Sequence, residues 1–119
     1  MTNISKEATH QNSNVKKGKW GEELAAGYLR DKGFQIVFRN FYSKYGELDI
    51  VAKKNNLLVF VEVKTRTQDH YGIPAEAVDT RKRRHMDYAA KFFVQRFGFQ
   101  NIDLRFDVIE INLNHLENV

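Results

Sequence analysis

The sequence predicts an α/β domain, a mixed central sheet flanked by helices, with elements in the order αβββαβ. Three patterns predict it. An apolar stripe at helical spacing (Trp20, Leu24, Ala25, Tyr28, Leu29) opens the ordered part of the chain. Strand-like stretches follow in close succession. A second helical stripe (Met86, Ala89, Ala90, Phe93, Val94, Phe97) then separates them from a last alternating segment. Strands joined by a hairpin pair antiparallel, whereas one reached through a helix lies parallel, so the sheet is mixed.

Residues 1–15 are polar and aperiodic, which predicts a disordered tail, and 16–119 then form a single domain. The first helix is expected from about Lys17 to Lys32, stopped by Gly33. Phe34 to Arg39 reads as a strand and Asn40 to Tyr45 as a connection. The second strand, Gly46 to Lys53, places Glu47, Asp49 and Val51 on one face and Leu48, Ile50 and Ala52 on the other. Asn55-Asn56 suits a tight turn into a third strand, Leu57 to Arg66. Its unbroken apolar run, Leu57 to Val61, marks a central strand covered on both faces. Gln68 to Pro74 is expected to be a loop, Thr80 to Phe97 the second helix ended by Gly98, and Asn101 to Asn112 the final strand.

The chain has 119 residues and no cysteine, so there is neither a disulfide framework nor a thiolate metal site, which suits a cytoplasmic location. No apolar run is long enough to span a bilayer, and the first residues lack the apolar stretch of a signal peptide, so no membrane is expected as partner. A formal charge of +4 favours a polyanion over a cationic or neutral partner. The four histidines show no metal-pair spacing.

The third strand continues as Val61-Glu62-Val63-Lys64, a carboxylate and an ammonium two residues apart on one face. Ionised groups in an apolar strand cost several kcal/mol each, about, unless compensated. Gly46-Glu47-Leu48-Asp49-Ile50-Val51 repeats the anomaly with Asp49. In an antiparallel hairpin turning at Asn55-Asn56, Asp49 and Glu62 fall at similar heights, with Cβ atoms roughly 5 Å apart. Two carboxylates that close repel, and a divalent cation resolves the conflict. Oxygen ligands without His or Cys suit Mg²⁺ or Mn²⁺. Lys64, one pleat on, is placed to orient an attacking water or to stabilise charge developing on a phosphate, which fits phosphodiester hydrolysis. The competing explanation is a buried salt bridge between Lys64 and either acid.

Arg81-Lys82-Arg83-Arg84 opens the second helix. Four adjacent cations repel and sit at the positive end of the helix dipole, and a phosphate backbone would relieve both penalties. A solvated charged face is the plainer explanation. Lys16, Lys17 and Lys19 extend this surface, and Arg66 is grouped with it. Tyr42, Tyr45 and Tyr71 lie in expected loops near the site, where tyrosines stack on bases or simply pack.

Gly18-Lys19-Trp20-Gly21-Glu22, Arg39-Asn40, Gly46-Glu47-Leu48-Asp49, Val59-Phe60-Val61-Glu62-Val63-Lys64-Thr65-Arg66 and Gly72-Ile73-Pro74-Ala75-Glu76-Ala77-Val78 occur in that order. With them the chain resembles the YraN-like (UPF0102) family, related to Holliday junction resolvases within the PD-(D/E)xK nuclease superfamily. The resemblance covers about Lys17 to Ile111. It implies a restriction-endonuclease-like αβββαβ core and a Mg²⁺- or Mn²⁺-dependent endonuclease acting on DNA, including branched DNA. It also implies that Asp49, Glu62 and the Val63 carbonyl bind the metal, that Lys64 is catalytic, and that Glu22 joins the catalytic set. On sequence alone Glu22 is a first-turn glutamate favoured by the helix dipole. A homodimer is expected by the same analogy. The alternative function is a nucleic-acid-binding module that keeps the fold and cleaves little or nothing. A third is an interaction domain whose buried ions are only salt bridges.

Overall fold

The computed structural model describes residues 6–67 and 80–119. Its elements run α1 (Lys6–Asp31), β1 (Gln35–Ser43), β2 (Gly46–Lys54), β3 (Leu57–Thr67), α2 (Thr80–Phe97) and β4 (Asp103–Leu113), the expected αβββαβ order. The sheet order is β1-β2-β3-β4; the first three strands are antiparallel and β4 lies parallel to β3.

Helix α1 starts at Lys6, inside the segment expected to be a disordered tail. Residues 6–17 contain neither Gly nor Pro, and lengthening a formed helix adds one hydrogen bond per residue fixed. Both helices close as the sequence predicts. The Phe34 N–H donates to the Leu29 carbonyl (2.9 Å) and the Gly33 N–H to that of Arg30 (2.9 Å), with Gly33 at φ 93°. Gly98 at φ 73° ends α2 with the corresponding bond from the Phe99 N–H to the Val94 carbonyl.

The sheet separates two apolar clusters. On the α1 side Ala25, Ala26 and Leu29 pack against Ile50, Ala52, Val59 and Val61. On the α2 side Ala89, Ala90 and Phe93 pack against Phe41, Leu48, Val51, Leu58 and Phe60. β3 is covered on both faces, as its apolar run predicts. Trp20, Leu24 and Tyr28 are instead exposed, because the small residues Gly21, Ala25 and Ala26 are the ones that let α1 approach the sheet. Phe97, expected in the core, is likewise exposed on the rim.

Two further corrections concern β1 and β2. The expected connection after Arg39 is strand as far as Ser43, paired to Gly46. Within it Asn40 adopts φ 54°, a left-handed conformation that Asn tolerates. Phe38 and Phe41 flank it and both pack on Phe93, so the strand changes face there. Their partners on β2, Val51 and Leu48, consequently share the α2 side. Strict alternation therefore fails between Leu48 and Val51, the stretch that contains Asp49.

A Cβ on Gly21 would overlap Thr65 Oγ1 and stand 3.2 Å from its Cβ. Gly21→Ala is expected to cost about 1–3 kcal/mol in chemical denaturation, with Thr65→Ala in the same chain recovering part of it. Additive losses would show that the two residues are not in contact.

Candidate active site

The β2–β3 ladder ends at Ile50 paired with Val61. One step beyond, the Val63 N–H donates to Asp49 Oδ2 at 2.8 Å, a side chain taking over where the backbone pairing stops. The strands part at this point over a cleft of about 230 Å³. Glu47, Asp49, Glu62 and Lys82 line it together with Phe60 and Met86. Asp49 and Glu62 thus line one cleft, to which α2 contributes Lys82.

Glu62 Oε1 accepts a short hydrogen bond from Lys82 Nζ. Lys64 Nζ stands 3.9 Å from the same oxygen, beyond hydrogen-bonding reach. Glu62 Oε2 is buried with no partner, and so is Glu22 Oε1 on α1. Gly21 explains how Glu22 comes near: the missing side chain lets α1 touch Thr65, next to Lys64.

Burial drives Asp49 from 3.8 up to about 6, opposed by the Val63 hydrogen bond and reinforced by the negative charge of Glu47, Glu22 and Glu62. The negative field reaches further: Glu47, facing Tyr42 across β1 and β2, raises the exposed Tyr42 phenol. An acid pushed toward neutral pH by burial and like charge is what a cation would relieve. Unpaired carboxylate oxygens are hard donors, which fit Mg²⁺ or Mn²⁺. Among the described residues, however, no three acidic or histidine side chains stand close enough together to hold a metal ion. What the cleft does show is two acids, Asp49 and Glu62, lining it together, with the charge of Glu22 reaching Asp49.

The basic residues separate. Lys82 faces Glu62, whereas Arg81 and Arg84 are exposed at the start of α2 and Arg83 stacks over Phe106, 4.8 Å from the ring centroid. Arg66 Nε lies 3.1 Å from Glu110 Oε1, poorly aligned for a hydrogen bond, so its charge is engaged by β4. Lys19 is exposed on α1. Of the tyrosines, Tyr42 is exposed, Tyr45 packs on Tyr88 and Phe92, and Tyr71, with the expected loop from Gln68 to Pro74, lies outside the described residues. The Lys82–Glu62 contact carries no sequence signal, since it joins residues 20 positions apart on a strand and a helix.

Fold and cleft together define an α/β protein with a mixed four-stranded sheet and an acidic pair beside a lysine. The chain belongs to the family described as "Uncharacterised protein family UPF0102", matched over residues 21–111. It is 47% identical over 97 residues to a UPF0102 protein of Caldicellulosiruptor saccharolyticus, covering 82% of each chain. It is 45% identical over 102 residues to one of Clostridium acetobutylicum, covering 86% of this chain and 84% of the relative. A third, from Syntrophomonas wolfei, is 44% identical over 112 residues, covering 88% and 97%. Among the described residues no helix is long and apolar enough to cross a membrane.

Proposed function

We propose that this protein is a Mg²⁺- or Mn²⁺-dependent endonuclease that hydrolyses phosphodiester bonds in DNA, branched DNA included. One observation carries the reading: Asp49 and Glu62 converge in one cleft, with burial and like charge holding Asp49 up at about 6. Asp49, Glu62 and the Val63 carbonyl would hold the cation, with Glu22 adding charge. Bound there, it supplies Lewis acidity toward the phosphoryl oxygens and acidifies a water molecule. Lys64, on the face of β3 shared with Glu62, neutralises charge developing on the phosphate. Lys82 leaves Glu62 for the phosphate backbone, where Arg81 and Arg84 already face solvent. Symmetric cutting of both strands asks for two sites, so a homodimer belongs to the proposal.

A second reading has its own support. Lys82 already compensates Glu62, and the described residues hold no three-acid cluster. A binding module that keeps the fold without cutting fits those facts.

Linear, flapped and four-way DNA and structured RNA, incubated with Mg²⁺, Mn²⁺ or EDTA, separate the two. The nuclease reading predicts products from DNA only with metal, and a loss of about 10²–10³-fold in Lys64→Ala. Products that survive Lys64→Ala contradict it. Salt-sensitive binding with no product in any metal supports the binding module.

A further inference from the structure

We infer that the cleft continues into a stacking track for a single strand of nucleic acid, laid along α2. The inference deepens the nuclease reading by naming the form of the substrate, and it rests on that reading for where the strand is cut.

Lys82, Phe92 and Arg96 follow one another at helical spacing along the edge of α2, beside Met86 and Ala89, which are buried against the sheet. The first of them borders the acidic cleft. A second hollow, lined by Tyr45 and His85, shares Glu47, Lys82 and Met86 with that cleft. Tyr45 leads onward, its ring centroid 5.6 Å from that of Tyr88 and 6.2 Å from that of Phe92. Phe92 in turn lines a groove of about 660 Å³ with Phe38, Tyr42, Lys44, Arg96 and Phe97. From Lys82 to Arg96 the helix rises about 21 Å, room for several nucleotides.

The composition of the track selects its occupant. Tyr42 is 71% exposed, Tyr88 46% and Phe97 43%, so three rings offer surface to a ligand. Two cations stand beside rings: Lys44 Nζ is 5.2 Å from the Tyr45 centroid and Arg96 Cζ 5.6 Å from that of Phe97. Among the described residues the larger groove is itself lined by no acid, and Glu47 meets it only from beside Tyr42, at the end nearest the cleft. Rings that stack on bases, interleaved with cations that pair with phosphates, match single-stranded nucleic acid. A duplex keeps its base faces stacked on one another and gains nothing from the rings.

Fluorescence anisotropy of the full chain in EDTA, where no cutting occurs, tests the track. The probes are a labelled short oligothymidylate, an oligouridylate of the same length and a blunt duplex. The single strand, of either sugar, is expected to bind about tenfold tighter than the duplex. Tyr42→Ala and Tyr88→Ala should each weaken it about tenfold and leave duplex binding unchanged, while Tyr42→Phe keeps the affinity. Arg96→Ala should lower the salt dependence by about one released ion. Both tyrosines are exposed, and melting curves matching the unmutated chain establish that the variants fold. No preference over duplex, no binding of any oligonucleotide as a protein-docking groove would give, or indifference to both Ala variants overturns the track. Cleavage that fails with metal while the preference holds sinks the nuclease reading alone; intact cleavage without the preference sinks the track alone.

Discussion

Asp49→Asn is expected to abolish cutting, by about 10³-fold or more, and at the same time to stabilise the metal-free protein at neutral pH. The two effects share one cause. The carboxylate sits in a buried cleft beside Glu47, Glu22 and Glu62, and its pKa rises from 3.8 to about 6 on folding. The folded state therefore binds the Asp49 proton more tightly than the unfolded chain does, and protonation favours folding. The penalty of the ionised carboxylate is absent below about pH 4, grows as pH rises toward 6, and is complete above it. After allowance for solvent screening of a partly exposed group it amounts to about 1–2 kcal/mol. Asn is neutral at every pH and still accepts the hydrogen bond that the Val63 N–H gives Asp49 Oδ2. Urea denaturation in EDTA between pH 4 and 8 should show the two proteins converging at the acid end and the variant more stable at pH 7. A variant less stable than the parent at pH 7 would mean that Asp49 is a structural hydrogen-bonding group, and the site reading would lose its electrostatic basis.

Phe93→Ala is expected to be the most damaging single change to the fold. Phe93 is fully buried, and its ring meets those of Phe38, Phe41, Phe60, Phe97 and Phe99. Removing it loses the transfer energy of the ring and leaves a cavity that the stiff sheet cannot close, about 3–5 kcal/mol together. A domain of this size has about 6–15 kcal/mol in all, so Tm should fall by about 10–25 °C. The same anchor holds α2 on the sheet, and with it Lys82 on Glu62. Phe97→Ala, on the exposed rim, should cost less than half as much. Calorimetric melting of both variants checks this; equal losses would mean that α2 is held from its rim and not from Phe93.

The bounds of α2 and the αβββαβ order were legible because they follow from local chemistry: helical period, glycine at the caps, and an unbroken apolar run for the covered strand. That Asp49 and Glu62 line one cleft, with Lys64 near Glu62, follows from charges that stand out in sequence where the pattern asks for apolar groups. What stayed hidden depends on partners distant in the chain. With Asn40 in a left-handed conformation in β1, Leu48 and Val51 come to share one face through pairing, and no periodicity within β2 announces it. The exposure of Trp20, Leu24 and Tyr28 reflects how closely Gly21 lets α1 approach Thr65. Lys82 reads in sequence as one of four like cations, yet α2 sets it apart from its neighbours by turning it onto Glu62. Arg66 likewise reads as a free cation and is engaged by Glu110.

Calorimetric titration of the purified chain with Mn²⁺ at pH 8, without nucleic acid, tests most directly whether Asp49 and Glu62 share a divalent cation. The expected result is saturable binding that weakens at least about tenfold in Asp49→Asn and in Glu62→Gln. Binding that both substitutions leave unchanged, or no binding at all, would contradict it.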